Sequence, residues 1–180
     1  MEDRTNIKNI TEANFRSQLG YGNQLIACGI LLRLGYEAML AETGNSFYDL
    51  IIVLQDPTNN GCKPIKVGVR TLSKNLSFSV NSGGGINRPR PAGRGAQLPT
   101  IDQVQLWIGI TKDFDLYFIP HSIIIGKTRL RNGVPKPIGS LSKGMINHTC
   151  NNTSILDNLF NQQWLQENVV SKIRGAIDWI

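Results

Sequence analysis

Cysteine and histidine are scarce in this 180-residue sequence. Its three cysteines, Cys28, Cys62 and Cys150, form no CxxC pair, and their odd number argues against a disulfide framework and against a zinc knuckle. The two histidines, His121 and His148, are too few for a histidine-rich metal site. Since free thiols persist in a reducing compartment, we expect a cytoplasmic protein.

Long apolar runs are also absent. No stretch approaches the length that spans a bilayer, and the first residues, MEDRTNIKNI, contain no apolar signal core. We therefore expect neither membrane insertion nor secretion. Hydrophobic residues make up 41% and charged residues 18% of the chain, which is typical of a soluble globular protein. The length suffices for a substantial core, and we expect a single domain over residues 1–180.

Carboxylates are missing from two stretches of the chain. No Asp or Glu occurs between Asp56 and Asp102, nor between Asp115 and Asp157, and these stretches hold 12 of the 19 Lys and Arg residues. The cations are Lys63, Lys66, Arg70, Lys74, Arg88, Arg90, Arg94, Lys127, Arg129, Arg131, Lys136 and Lys143. With a net charge of +6, this distribution favours contact with nucleic-acid phosphates, since each neutralised phosphate releases condensed counterions. The alternative is a solvated basic surface that only keeps the protein soluble.

Hydrophobic periodicity predicts a helix, several strands and a final helix, and thus an α/β domain with a central mixed sheet. The first helix is expected over 11–34, broken near Gly20 and Gly22 and ended by Gly35. Its apolar positions are Phe15, Leu19, Leu25, Ile26, Gly29, Leu32 and Leu34. Strands are expected at 36–40, 48–54, 65–72, 104–110 and 116–119, with a further short strand at 123–125. The segment VPKPIG reads as a loop, and the final helix is expected over 154–177.

Within the predicted strand at 65–72, apolar and polar positions alternate. Ile65, Val67 and Val69 should face one way, and Lys66, Gly68 and Arg70 the other. Residues 81–99 contain almost no apolar side chain but many glycines and prolines, which predicts a mobile loop. That loop carries three arginines, Arg88, Arg90 and Arg94.

Three segments between residues 19 and 74 carry a family resemblance. They are GNQLIACGILLRLGY, FYDLIIV and IKVGVRT, followed later by WIGI and DLYFIP. In order and spacing these segments resemble the PD-(D/E)XK nuclease superfamily, including its small intron-encoded endonucleases. The resemblance implies a restriction-endonuclease-like fold, in which a helix Glu and acids on two adjacent strands bind Mg²⁺ and a strand Lys assists the attacking water. Hard oxygen ligands suit Mg²⁺, and the ion activates water and neutralises phosphate charge.

This sequence departs from the family at most of the positions that carry the chemistry. Asp49 matches the metal-binding Asp, whereas Gln24 stands in place of the helix Glu, Gly68 in place of the strand acid or Gln, and Arg70 in place of the Lys. The family's set is negatively charged, while this set is neutral. The resemblance thus implies a degenerate catalytic site with Asp49, Arg70, Gln24 and Lys66 as its candidate residues and Asp49 as the candidate metal ligand.

Other interpretations of the same residues stay open. Lys66 shares the face of Arg70 and could reach across the space that Gly68 leaves. Glu37 or Glu42 could supply a missing acid. Asp49 could equally be a turn residue, Gln24 a surface residue and Arg70 a strand-end residue. Trp107 and Trp164 are best assigned to the core and to the final helix.

Three functions follow from these patterns. The first is a DNA-binding protein on a nuclease-like fold with a degenerate site, contacting double-stranded DNA through Lys66, Arg70, Lys74, Arg88, Arg90 and Arg94. The second is an active Mg²⁺-dependent endonuclease with a rearranged site around Asp49. The third is a basic interaction subunit of a larger complex. Mg²⁺ is implied only for the active enzyme, and either a homodimer or a larger complex is compatible with the sequence.

Overall fold

A five-stranded sheet forms the centre of the fold. It is seen in a computed structural model that describes residues 11–41, 47–57, 60–79, 98–131 and 134–173. The strand order is β1-β2-β3-β5-β6, with β3 and β5 parallel and the other neighbours antiparallel. The strands are β1 (Glu37–Leu40), β2 (Leu50–Asp56), β3 (Gly61–Thr71), β5 (Leu106–Ile110) and β6 (Leu116–Pro120). The predicted α/β fold, with a central mixed sheet flanked by helices, is confirmed.

The first helix, α1, spans Glu12–Arg33 without interruption, so the predicted break is wrong. Thr11 caps its start, because the Thr11 side chain accepts a hydrogen bond from the Asn14 N–H (3.3 Å). Gly35 follows its end with a φ of +89°, a backbone conformation that favours glycine, as predicted. Gly20 and Gly22 lower helix propensity, but packing against the sheet outweighs that cost.

The buried face of α1 differs from the predicted one. Ala27 and Leu31 are fully buried, whereas Leu25 and Leu32 are 46% and 52% exposed. Apolar residues occur around the whole helix, so spacing alone could not select the face that meets the sheet.

One face of the sheet forms the core beneath α1. Leu50, Ile52 and Val67 are fully buried on this face. Asn23 on α1 donates from Nδ2 to Thr71 Oγ1 (2.8 Å), and Thr71 shares this face with Val67 because strand side chains alternate. The helix therefore covers this face at β3.

The opposite face carries the polar positions of β3. Lys66 and Arg70 are half-buried there, while Gly68 between them is buried, which confirms the predicted alternation. At β5 the same face is covered by another layer, since a Cβ at Gly109 would meet Leu72 and Leu76. Leu76 belongs to β4, described next.

Two small two-stranded sheets accompany the central one. They pair β4 (Asn75–Ser77) with β9 (Ser140–Ser142), and β7 (Thr128–Arg131) with β8 (Val134–Pro137). The predicted VPKPIG loop is therefore wrong, because its first four residues form β8. The predicted strand at 123–125 is also wrong, since a 3₁₀ turn over His121–Ile123 follows β6. Short strands paired only with each other leave a weak sequence pattern.

The predicted final helix is broken into pieces. α2 spans Ser154–Asp157, α3 spans Gln162–Asn168, and a 3₁₀ turn follows at Val170–Lys172. Asn161 causes the restart, because its side chain accepts a hydrogen bond from the Trp164 N–H (3.0 Å) and so caps α3.

No helix within the described residues is both long enough and apolar enough to cross a bilayer.

Candidate active site

Asp49 lies where β2 and β3 diverge. Its N–H donates to the Val67 carbonyl (2.8 Å), directly before Leu50 begins β2. Two residues further along β3, the Val69 N–H donates to Asp49 Oδ2 (2.7 Å). The carboxylate thus takes the place of a backbone carbonyl acceptor next to Leu50, the residue at which the pairing of β2 with β3 ends. This bond fixes it at the diverging end of the hairpin.

Gln24 and Arg70 converge on the same carboxylate. Gln24 Nε2 donates to Asp49 Oδ1 (2.8 Å), and Arg70 Nη1 donates both to Asp49 Oδ2 (2.8 Å) and to the Val69 carbonyl (2.7 Å). The side chains of Arg70 and Asp49 are 27% and 20% exposed. The structure therefore brings three of the four candidate catalytic residues into one neutral cluster that solvent reaches. We call Gln24, Asp49 and Arg70 the Asp49 cluster.

Gly68, where the family resemblance implies a second acid, lies directly beneath an indole ring. The two residues Gly68 and Trp107 pair across the parallel ladder. A Cβ at Gly68 would lie 2.5 Å from Trp107 Cζ3 and 2.6 Å from Cε3. The Arg70 guanidinium lies on the same ring, with Cζ 5.0 Å from the ring centroid. The indole therefore fills the space that a side chain at position 68 would need.

Two neighbouring side chains, His121 and Phe78, hold Trp107 in place. It is fully buried, and its Nε1–H donates to His121 Nδ1 (3.0 Å). Because Nδ1 is the acceptor, the ring proton of neutral His121 is on Nε2, which donates to the Pro99 carbonyl (2.8 Å). The Phe78 ring packs at a tilt against the indole, with 5.8 Å between centroids. This packing leaves the indole little room to move away from Gly68.

Burial also sets the charge state of His121. Desolvation lowers the pKa of His121, and the hydrogen bond to the Pro99 carbonyl opposes that shift only in part. The neutral form is therefore favoured, consistent with its role as acceptor for Trp107.

Lys66 does not join the Asp49 cluster. Its Nζ donates to the Asp102 carbonyl (2.9 Å) and lies 5.6 Å from the centroid of the Tyr48 ring. The idea that Lys66 reaches across Gly68 is wrong, because Trp107 fills that space. Lys66 is half-buried on the same sheet face as Arg70, four residues earlier in β3.

Besides Lys66 and Arg70, Lys74 is the only cation predicted to contact DNA that lies among the described residues. It is exposed and follows β3, next to β4, and its carbonyl accepts from the Lys143 N–H (2.8 Å). Lys143 is thereby brought beside Lys74, although the two lie far apart in sequence. Arg88, Arg90 and Arg94 lie outside the described residues, as does the predicted loop at 81–99 except for its last two positions.

Of the two candidate replacement acids, Glu37 is among the described residues, and it does not join the Asp49 cluster. Glu37 is exposed on β1, where it pairs with Val53, whereas Asp49 precedes the opposite end of β2. Glu42 lies outside the described residues. The described part of the chain contains no group of three or more His, Cys, Asp or Glu side chains that could hold a metal ion.

Sequence reasoning placed Trp107 in the core, correctly, but missed its relation to the site. The only sequence signal was a glycine where the resemblance implies an acid. Nothing in the sequence indicated that the register of β3 and β5 sets Trp107 against that glycine. The role of His121 as its hydrogen-bond partner was likewise not predicted.

No family model matches this chain, and no curated protein matches it. Among solved structures, a bacterial homing endonuclease, I-Ssp6803I, is similar at 11% sequence identity and a TM-score of 0.46. The match covers 63% of this chain and 72% of that chain. A likeness this weak shows neither a shared fold nor a shared activity.

Proposed function

We propose that this protein binds double-stranded DNA through a nuclease-like site that does not cut it. The observation that carries the proposal is the Asp49 cluster: a carboxylate sits where two strands diverge, but its partners are an amide and an arginine. A nuclease site of the family that the sequence resembles would have acids at the positions of Gln24 and Gly68.

The residues present do not fit a catalytic Mg²⁺ ion. Mg²⁺ prefers near-octahedral oxygen ligands, usually with one or two carboxylates. Here Asp49 already accepts hydrogen bonds from Gln24, Val69 and Arg70, and the arginine charge neutralises it. Binding a divalent ion would require the loss of that ion pair, and Gly68 offers no ligand in return.

The same arrangement suits phosphate binding. Asp49 and the Trp107 ring orient the Arg70 guanidinium, and only its Nη1 is used in the hydrogen bonds described above. An arginine presents five N–H donors in a planar fork, which matches two phosphate oxygens. We infer that Arg70 anchors one backbone phosphate, with Lys66 and Lys74 contributing charge beside it.

Binding to a labelled DNA duplex, followed by fluorescence anisotropy across salt concentrations, tests this function. Arg70→Ala should weaken binding and reduce the salt slope by about 0.9 for the lost phosphate contact. The matched control is Arg33→Ala, an exposed arginine at the C-terminal end of α1. Equal loss in both variants, or no DNA binding by the unaltered protein, would contradict the proposal.

The three loop arginines are tested in the same way. Charge reversal at Arg88, Arg90 and Arg94 should lower both the affinity and the salt slope if this segment contacts DNA. An unchanged affinity would remove these residues from the interface.

Cleavage of the same duplex tests the competing proposal of an active endonuclease. Mg²⁺- or Mn²⁺-dependent cutting that disappears in Asp49→Ala would make the protein an enzyme and would refute the non-cutting site.

A homodimer is a second candidate property, favoured by one observation. Tyr21, Leu25 and Leu32 of α1 are 47%, 46% and 52% exposed, and their spacing places them along one stripe of the helix. A second copy of the chain would cover such a stripe through a two-fold interface. Light scattering of the unaltered protein and of Leu25→Glu tests this. A monomer in both cases would contradict it.

A further inference from the structure

Two lysines, Lys74 and Lys143, lie opposite each other at the end of the β4–β9 ladder. The last register pair of these strands is Asn75 with Ser142, and one position beyond it the Lys143 N–H donates to the Lys74 carbonyl (2.8 Å). Residues that face each other in an antiparallel ladder carry their side chains on the same side. The end of the ladder thus brings two like charges together, and we call Lys74 and Lys143 the lysine pair.

No carboxylate of the described residues neutralises the lysine pair. Neither lysine forms an ion pair there. Lys143 Nζ lies 5.6 Å from the centroid of the Tyr117 ring, but burial raises the pKa of Tyr117 to about 12, so its hydroxyl stays neutral. Asp115 also raises that pKa, and its carboxylate accepts a hydrogen bond from Asn151 Nδ2 (3.0 Å). Because opposed like charges destabilise a ladder, an anionic partner is favoured beside the lysine pair.

The Tyr117 ring orients the ammonium group of Lys143. Tyr117 is 2% exposed, and its Oη donates to Asn147 Oδ1 (3.3 Å), so the ring has a fixed position. A cation above the face of such a ring is attracted to it. Lys143 is half-buried, whereas Lys74 is exposed. Since Lys143 is already oriented, it loses less conformational freedom when it binds an anion.

The lysine pair lies on the same side of the central sheet as Arg70. Alternation gives Lys74 the same face as Leu76, and Leu76 Cδ1 would lie 3.0 Å from a Cβ at Gly109. Gly109 pairs with Arg70 on one side and with Tyr117 on the other. Arg70 and Lys74 are four residues apart, so their Cα atoms are separated by at most about 14 Å. A DNA strand that contacts Arg70 therefore passes close to the lysine pair.

We propose that Lys74 and Lys143 together bind a second backbone phosphate of the DNA that Arg70 anchors. A DNA strand carries one phosphate for about every 3.4 Å of helix axis, so a strand held at Arg70 has further phosphates within the distance to Lys74. A phosphate between the two ammonium groups neutralises the like charges that the fold leaves together. The inference rests on the proposed DNA binding and adds to it Lys143 and the direction in which the strand leaves Arg70.

Anisotropy of a labelled duplex across salt concentrations tests the shared phosphate. The pair variant, Lys74→Gln with Lys143→Gln, should lower the salt slope by about 0.9 and bind about eightfold more weakly at 0.1 M salt, the factor that this slope change gives. The control has the same charge loss at two other exposed positions, Arg33→Gln with Lys172→Gln, and should behave like the unaltered protein. Lys143→Arg keeps the charge and should retain the affinity.

Thermal unfolding of the free protein provides a second measurement. Lys74→Gln should raise Tm by about 1 °C at low ionic strength, because it removes the repulsion between the two lysines. The same substitution should weaken DNA binding. A residue with a purely structural role would not change stability and affinity in opposite directions.

Several results would overturn the second phosphate site. An equal loss of affinity in the pair variant and in its control would show that only net charge matters. A Tm that does not rise in Lys74→Gln would remove the repulsion from which the anionic partner is inferred. If the pair variant binds as tightly as the unaltered protein while Arg70→Ala does not, the lysine pair is not a phosphate site and DNA binding stands. No DNA binding by the unaltered protein would overturn both proposals.

Discussion

Replacing Gly68 with alanine should destabilise the protein because of Trp107. The added Cβ would lie 2.5 Å from Trp107 Cζ3 and 2.6 Å from Cε3, where an ordinary carbon–carbon contact is about 3.5–4.0 Å. The indole cannot move freely, since it is fully buried, donates to His121 and packs against Phe78. Overpacking of this kind costs about 1–3 kcal/mol. For a chain of this length each kcal/mol lowers Tm by about 2–4 °C.

Thermal and urea unfolding of Gly68→Ala measure this cost, with Gly29→Ala as the matched control. Gly29 lies within α1, and nothing lies within 4 Å of the Cβ position there. The control should therefore be stabilised by about 0.4–1 kcal/mol. The two glycine-to-alanine changes are expected to have opposite signs.

A double variant isolates the indole as the cause. Trp107→Leu leaves a cavity and is destabilising alone, but it removes the atoms that the new Cβ would meet. Gly68→Ala should then cost much less in the Trp107→Leu background than alone. An equal cost in both backgrounds, or no cost in either, would refute the reasoning that Trp107 excludes a side chain at position 68.

Further predictions concern pH and metal ions. Because burial lowers the pKa of His121, the unfolded chain takes up a proton at a higher pH than the folded chain; stability should be full above pH 6.5 and fall as pH decreases toward the lowered value. Urea unfolding across that range should show this slope, and His121→Gln should reduce it. His148, whose pKa is also lowered by burial, should contribute to the slope that remains. An unchanged slope in His121→Gln would contradict the assignment to His121. Millimolar Mg²⁺ or Mn²⁺ should leave Tm unchanged, because an ion stabilises the folded protein only if the folded protein binds it. A rise in Tm that Asp49→Ala abolishes would show that the Asp49 cluster binds a metal ion.

How much of the site could be predicted from the sequence depends on how far apart in the chain the interacting residues lie. The alternation of Lys66, Gly68 and Arg70 is a property of one strand, and it was predicted. The position of Asp49 beside Gln24 was implied by resemblance, and the hydrogen bond between the two side chains agrees with it. In contrast, the contact of Trp107 with Gly68 depends on the register of two parallel strands joined by a long connection, which no local pattern specifies.

The helices show the same limit. The existence of α1 was predicted from periodicity and from Gly35, but its buried face was not. Leu25 belongs to the apolar pattern from which the helix was predicted, yet it is 46% exposed. Ala27, which is not part of that pattern, is fully buried. A helix with apolar residues on every side is oriented by what it packs against, and only the sheet supplies that information. The break at Asn161 was missed because a capping side chain competes with helix continuation through hydrogen bonds that periodicity does not register.

The central claim is a nuclease-like site that binds DNA without cutting it, and one gel tests it. A diverse mixture of plasmid and phage DNA is incubated with the unaltered protein and with Asp49→Ala, in Mg²⁺ or Mn²⁺, and binding and cleavage are read together. We predict that the unaltered protein retards the DNA and leaves it intact with either ion. Metal-dependent fragments that appear with the unaltered protein and vanish with Asp49→Ala would contradict the account.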